Sequence, residues 1–244
     1  MDLVGGRVIV VKKPFFEHFN ELNKRVFASI TVILFVSSIV YINYSQVYQL
    51  LITPLKQAGF LTSDLLAFSI YEGFQVKVVN TIFLGFLITL PITIFIVGNF
   101  FSPAFEKLTK SKFIFYLLLF LILFYSGVIV AFKSFPIAIE FFLSFNDSNF
   151  ILRTQSYFQL LFRICLLIGL TFQLPLVVTF LIANNFIKVS LIKNNRRELF
   201  ILILILSAIV TPTGDPITLF IFALPLYLLI ELAIFIQIKR SKID

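Results

Sequence analysis

Six apolar runs, parted by polar stretches, dominate the pattern along the chain. They cover residues 26–42, 76–101, 113–132, 158–183, 199–210 and 217–236. A helix crossing the roughly 30 Å hydrocarbon core needs about 20 apolar residues, at 1.5 Å of rise each. The runs are continuous rather than alternating, which excludes a transmembrane β-barrel. The pattern predicts an all-α polytopic membrane protein with six transmembrane helices. Residues 1–244 form one membrane domain, with an inner-face N-terminal segment over 1–25 and outer cap loops over 43–75 and 133–157. Pro91 and Pro175 lie inside the second and fourth runs and are expected to kink them, because proline removes a backbone donor. The last two helices are short. The fifth run spans only about 18 Å, and it ends at Thr211-Pro212-Thr213-Gly214-Asp215-Pro216, a cluster of helix breakers. Such a helix is either buried by its neighbours or sits where the bilayer thins.

Composition agrees with the pattern. The chain is 59% hydrophobic and 13% charged, with a mean hydropathy of +1.03. Soluble domains carry about 25% charged residues, so an ordinary soluble enzyme, a disordered protein and a nucleic-acid binder are all excluded. The net charge of +8 is a matter of topology. Residues 1–25, 107–112, 188–197 and 239–242 hold 15 of the 20 Lys and Arg residues. The positive-inside rule then places both termini on the inner side, cytoplasmic, matrix or stromal. The polar lead-in before the first run does not read as a cleavable signal. One cysteine, Cys165, and one histidine, His18, make neither a disulfide nor a metal site. No nucleophile–base pair or Gly-rich phosphate loop is apparent, so neither an enzymatic activity nor a cofactor is expected. The 33 Phe and absent Trp suggest an A/T-rich genome, such as an organelle's.

Few polar residues stand out. His18, Glu21, Leu22 and Arg25 share one face of an amphipathic helix expected to lie on the inner surface. Glu21 and Arg25 are in the favourable i, i+4 order. Glu106 is the only acid of the first inner loop. Together with Glu21 it would suit a guanidinium-bearing peptide, since arginine matches carboxylates bidentately. Charges within spans are costly and mark candidate sites. Lys77 is expected to snorkel or approach Glu72, and Arg163 to snorkel. Gln173 is expected to bond a carbonyl freed by Pro175, and Glu231 to pair locally with Lys239 or Arg240. Three functional classes fit these features: a protein-translocase receptor, a small-solute or ion transporter, and a membrane subunit of a respiratory or ATP synthase complex. The absence of an internal repeat disfavours the second. The third needs Arg163 and Glu231 at facing depths, whereas they lie toward opposite ends of their spans.

Taken in order, these motifs resemble the TatC family, the receptor subunit of the twin-arginine protein translocase, over almost the whole chain. His18-Phe19-Asn20-Glu21-Leu22-Asn23-Lys24-Arg25 is similar to the family's H-L-x-E-L-R-x-R. Pro54 matches the proline of the first outer loop, and Glu72 the acid that opens span two. Phe100 to Phe105 resembles F-x-x-P-A-L, and Phe172-Gln173-Leu174-Pro175 resembles F-E-x-P. Thr211-Pro212, Asp215, Pro225 and Glu231 resemble T-P-P-D followed by P-x-x-x-L-x-E. The resemblance implies binding of twin-arginine signal peptides of folded cargo, with Glu21, Glu106, Arg25 and Phe100 as the site. It implies an outer cap shaped by Pro54 and Glu72. It further implies contact of Gln173, Thr211, Asp215 and Glu231 with TatA- or TatB-type single-span subunits, beside other TatC copies and the lipid bilayer, in transport driven by the proton-motive force. Thr109 stands where the family usually has an acid, which Glu106 would replace. Gln173 replaces the family's glutamate, Asn23 a common arginine, and Gly214 is extra. Gln173 and the Asn195-Arg196-Arg197 sequence look more like mitochondrially encoded members, which favours the mitochondrial inner membrane over thylakoid or bacterial plasma membrane.

Overall fold

A computed structural model describes residues 15–101, 110–144, 151–183, 186–187, 191, 194–210 and 216–240. The described chain is almost wholly helical. Helix α1 runs over Phe15–Ile42, α2 over Tyr44–Leu51, α3 over Thr53–Gln57, α4 over Glu72–Phe101 and α5 over Lys110–Leu143. Then come α6 (Thr154–Thr171), α7 (Leu174–Ala183), α8 (Arg196–Val210) and α9 (Pro216–Arg240). Two short strands, β1 (Leu65–Leu66) and β2 (Leu152–Arg153), pair in parallel. Among the described residues, five stretches are long and apolar enough to cross a membrane: Phe19–Ile42, Glu72–Phe100, Lys110–Leu143, Thr154–Ile182 and Leu219–Gln237. Of the last two helices, both expected to be short, only α8 is: its 15 residues make about 22 Å against the roughly 30 Å core, whereas the 25 residues of α9 make about 37 Å.

Several elements differ from the sequence expectation. The N-terminal amphipathic stretch is not a separate surface helix, because α1 continues without a break from Phe15 to Ile42. No breaker interrupts that stretch, so the helix propagates. The expected loop over 133–157 is largely helical: α5 passes Lys133 and Pro136 to end at Leu143, and α6 begins at Thr154. Beyond Lys133 the segment stays apolar, and Phe135, Ala138 and Ile139 are buried against the rest of the fold. That burial outweighs the donor lost at Pro136. Pro91 lies within a continuous α4, whereas the fourth run breaks at Phe172–Gln173, just before Pro175.

Helix α1 packs along α4, α5 along α6, and α9 along both α7 and α8. Lipid supplies no hydrophobic drive between helices, so close contact rests on small residues and internally satisfied hydroxyls. Ser29 donates to the Arg25 carbonyl at 2.9 Å, and Thr89 to that of Gly85 at 2.7 Å. A side chain on Gly85 would collide with Ser37 on α1. Between α5 and α6 the backbones themselves meet, since a Cβ on Gly127 would lie 2.9 Å from the Cα of Gly169 and from the Ile168 carbonyl oxygen. Neither can yield as a flexible side chain would. Gly127→Ala is therefore expected to force the helices apart and cost about 1–3 kcal/mol, read as a lowered unfolding midpoint in detergent.

One end of the bundle carries α2, α3 and the two strands, and is termed here the cap end. Its core joins Leu51, Ile52 and Leu55 to Phe135, Ile139, Tyr157, Phe158 and Leu161. Pro54 is buried at the start of α3, where its missing N–H costs nothing. Gly59, at φ +85°, closes α3 with the Gly59 amide on Lys56 and the Phe60 amide on Leu55, a Schellman turn that an L side chain would strain. Tyr157 donates its hydroxyl to the Leu51 carbonyl at 2.9 Å. A second core, around Ile182, Ile203, Ala223, Leu226, Ile230 and Ile234, binds α7, α8 and α9. Outward-facing residues such as Phe27, Phe35, Phe95, Phe115 and Leu118 are apolar and exposed, a surface suited to lipid.

Candidate functional site

At the end opposite the cap, here the base end, α1 begins and α4 finishes. The spacing of Glu21 and Arg25 on one helix face brings them together at 2.7 Å, Arg25 Nη2 to Glu21 Oε1. The other guanidinium nitrogen, Nη1, donates to the Ile96 carbonyl on α4 at 2.9 Å. A cation is favoured near this C-terminal end of α4 by the helix dipole. Arg25 thus ties α1 to α4 and holds the Glu21 carboxylate at the bundle's edge. Both side chains keep about a third of their surface exposed, 28% for Arg25 and 33% for Glu21. An incoming cation can reach the carboxylate from that side. Phe100, one turn beyond Ile96, is buried at the same end. Beside them a groove of about 370 Å³ runs between α4 and α5, lined by apolar residues including Ile92, Phe95, Ile114, Leu118 and Leu121. A carboxylate next to an apolar groove can take a cationic segment followed by an apolar one. Glu106 lies outside the described residues, as do Thr109, Thr211 and Asp215.

Glu72 sits at the cap end, on the first turn of α4, with its side chain fully buried. It accepts from the Phe68 amide at 2.8 Å, the Gln155 amide at 3.1 Å and Arg153 Nε at 3.2 Å. The chain before α4 and the start of α6 therefore close on one carboxylate. The expected approach of Lys77 to Glu72 does not form. Lys77 Nζ lies 3.8 Å from the centroid of the Tyr41 ring instead, a cation–π contact. One turn along α4, Asn80 donates to the Tyr44 hydroxyl at 3.0 Å. Burial pushes that phenol up to about 12, so it remains a hydroxyl at physiological pH.

The break between α6 and α7 positions Gln173. Its side chain turns into the bundle, and Nε2 donates to the Phe120 carbonyl on α5 at 3.2 Å. That partner belongs to a neighbouring helix, not to the carbonyl freed by Pro175. Gln173 is 92% buried, with 8% relative exposure, and its Oε1 has no hydrogen-bond partner. Glu231 likewise departs from the expected local pairing. Its Oε1 lies 2.7 Å from Arg196 Nη1, at the start of α8, while its Oε2 is buried without a partner. Two unused acceptors, on α7's approach and on α9, thus remain within the apolar helices. In such surroundings an unpaired acceptor is costly, and a donor on another helix would relieve it.

Sequence reasoning missed Arg153 and Arg196 as partners. Their carboxylates, Glu72 and Glu231, sit on other elements, and no local spacing reports them. Arg163, by contrast, faces outward from α6.

The chain matches the family model described as Sec-independent protein translocase protein (TatC) over residues 17–225. It is 30% identical to the Sec-independent protein translocase protein TatC of Carboxydothermus hydrogenoformans, covering 91% of each chain. It is also 30% identical to that of Rickettsia prowazekii, again over 91% of each, and 26% identical to that of Magnetococcus marinus, over 95% of this chain and 88% of that one. Among solved structures, the crystal structure of the twin-arginine translocase receptor TatC in DDM superposes with a TM-score of 0.68. Identity there is 25%, over 90% of this chain and 99% of that one.

Proposed function

The chain belongs to the TatC family and is an integral membrane component of the Sec-independent protein translocase. From that premise we propose that it is the subunit that receives twin-arginine signal peptides of folded cargo at its base end. The observation that carries this reading is the Glu21 carboxylate, held by Arg25 against α4 yet a third exposed, beside an apolar groove. A guanidinium of the peptide would share or replace Arg25 on that carboxylate, with bidentate geometry that an ammonium lacks. Glu106 and Phe100 complete the site, and Pro54 and Glu72 shape the outer cap. The chain crosses the membrane six times, with α8 as the fifth span, and both termini lie on the inner side. Gln173, Thr211, Asp215 and Glu231 contact TatA- or TatB-type helices, and the unused acceptors of Gln173 and Glu231 support that role. Helix α8, short against the hydrocarbon core, thins the bilayer where cargo passes. The composition and Gln173 favour the mitochondrial inner membrane as the location.

Site-specific photo-crosslinking at Glu21 and Glu106 tests the receptor role, using a twin-arginine precursor and its twin-lysine counterpart in membranes. Crosslinks to the arginine form that fade with twin lysine are expected at both positions. A folded protein that crosslinks at neither would overturn the site.

A further inference from the structure

Side-chain contacts fix how the helices are levelled against one another. On α5 and α6, Phe135 faces Tyr157, Gly127 faces Gly169, and the Phe120 carbonyl takes the Gln173 amide. These pairs place Lys133 level with residues 159–163 of α6, within about one turn of Arg163 in height. Phe83 of α4 stacks on Phe162 at the same level. Ser37 on α1 meets Gly85, and Tyr44, at the start of α2, meets Asn80, both on α4. Tyr41 therefore stands within about one turn of that level.

From this level to the base-end charges the distances agree across helices. Lys133 is 21 residues from Lys112, about 32 Å of helix. Tyr41 is 20 residues from Glu21, about 30 Å of α1. Those lengths match the hydrocarbon core. The exposed face of α6 changes character at the same height. Ser156, Gln159 and Arg163 share that face toward the cap, and Leu167 and Leu170 continue it toward the base. Arg163 and Lys133 are both exposed, and neither has an ion pair among the described residues. The other cations of the cap end are engaged. Arg153 is on Glu72, Lys56 on Gln49 at 2.9 Å, and Lys77 on the Tyr41 ring.

We propose that Arg163 binds the phosphate of an anionic phospholipid in the cap-side leaflet, and that Lys133 marks the same phosphate plane on α5. A lone arginine at the edge of the hydrocarbon is costly until its charge is met. A guanidinium matches phosphate oxygens through two parallel N–H bonds. A single partner helix could cover one of these cations. A plane shared by two helices, with a tyrosine of a third near it, is the signature of a bilayer surface. The cap-side parts of α4, α5 and α6 then project past the hydrocarbon, which leaves the Glu72 closure outside it.

The test uses the full chain in nanodiscs of phosphatidylcholine mixed with phosphatidylglycerol, with retained lipids counted by native mass spectrometry. Phosphatidylglycerol is expected to be retained about fivefold over its share of the mixture. R163Q abolishes most of that preference, R163K keeps part of it, and K133Q lowers it. In the same discs, Q159C should react with a membrane-impermeant maleimide while L167C resists it; native Cys165 is buried. Equal phosphatidylglycerol retention by wild type and R163Q would overturn the proposal, as would equal labelling of Q159C and L167C. A crosslink from R163C to a protein partner in native membranes would overturn it too. None of these readouts depends on signal-peptide binding, so their failure leaves the receptor reading untouched.

Discussion

Glu72→Ala is expected to lower stability by about 2–5 kcal/mol, the cost of leaving two backbone amides without their buried acceptor. The carboxylate is fully buried and serves three donors from two parts of the chain. Its loss strands the Phe68 and Gln155 amides and leaves Arg153 without its acid. The effect falls on the cap, because β1 and β2 pair just beside these groups. Thermal unfolding in detergent should show the drop, and limited proteolysis should open the segment between α1 and α4. The variants should rank in a set order. Glu72→Gln keeps one oxygen acceptor but presents an NH₂ to one of its former donors, costing about 1–3 kcal/mol. Arg153→Ala costs least, about 1–2 kcal/mol: the buried carboxylate loses its cation, but Arg153 is 45% exposed and Glu72 keeps its two backbone donors. An Arg153→Ala variant as damaged as Glu72→Ala would show that the ion pair, rather than the amide cradle, closes the cap.

Glu21→Gln is expected to weaken binding of a twin-arginine peptide about 10- to 100-fold. That range follows from about 1.5–3 kcal/mol for a hydrogen bond to a charged group. The twin-lysine peptide should change far less, since an ammonium gains little from the bidentate geometry. Fold stability should hardly move, because the Glu21–Arg25 pair is partly exposed and within one helix. Arg25→Gln differs in kind. It removes the tie to Ile96 as well as the charge beside Glu21, so it should loosen α1 from α4. Fluorescence titration with labelled peptides, paired with unfolding midpoints, separates the two effects. Equal loss for both peptides with Glu21→Gln would remove Glu21 from arginine recognition.

Much of this was legible in the sequence, because it depends on local pattern. Apolar run length is a one-dimensional match to bilayer thickness, which is why the long helices and the short α8 could be read directly. Glu21 and Arg25 are one turn apart, so a helix alone brings them together. The break before Pro175 follows from proline's missing donor. Other features needed the third dimension. Glu72 meets Arg153 across 81 residues, and Glu231 takes Arg196 from another helix. No periodicity reports such pairs, because they depend on how helices are rotated and levelled against each other. Lys133 suggested a loop, yet the burial of Phe135, Ala138 and Ile139 carries α5 through it.

The sequence by itself determined a helical membrane protein, the lengths of its apolar runs and the acid–base pair on its first helix. Intrahelical spacing and hydrophobic length need no knowledge of neighbours. Only the tertiary structure decided which carboxylate closes the cap, which acceptors remain unused on Gln173 and Glu231, and which cations are left facing outward. Those outcomes are set by contacts between segments far apart in the chain, where a rotation of one residue on a helix turns a side chain by about 100°.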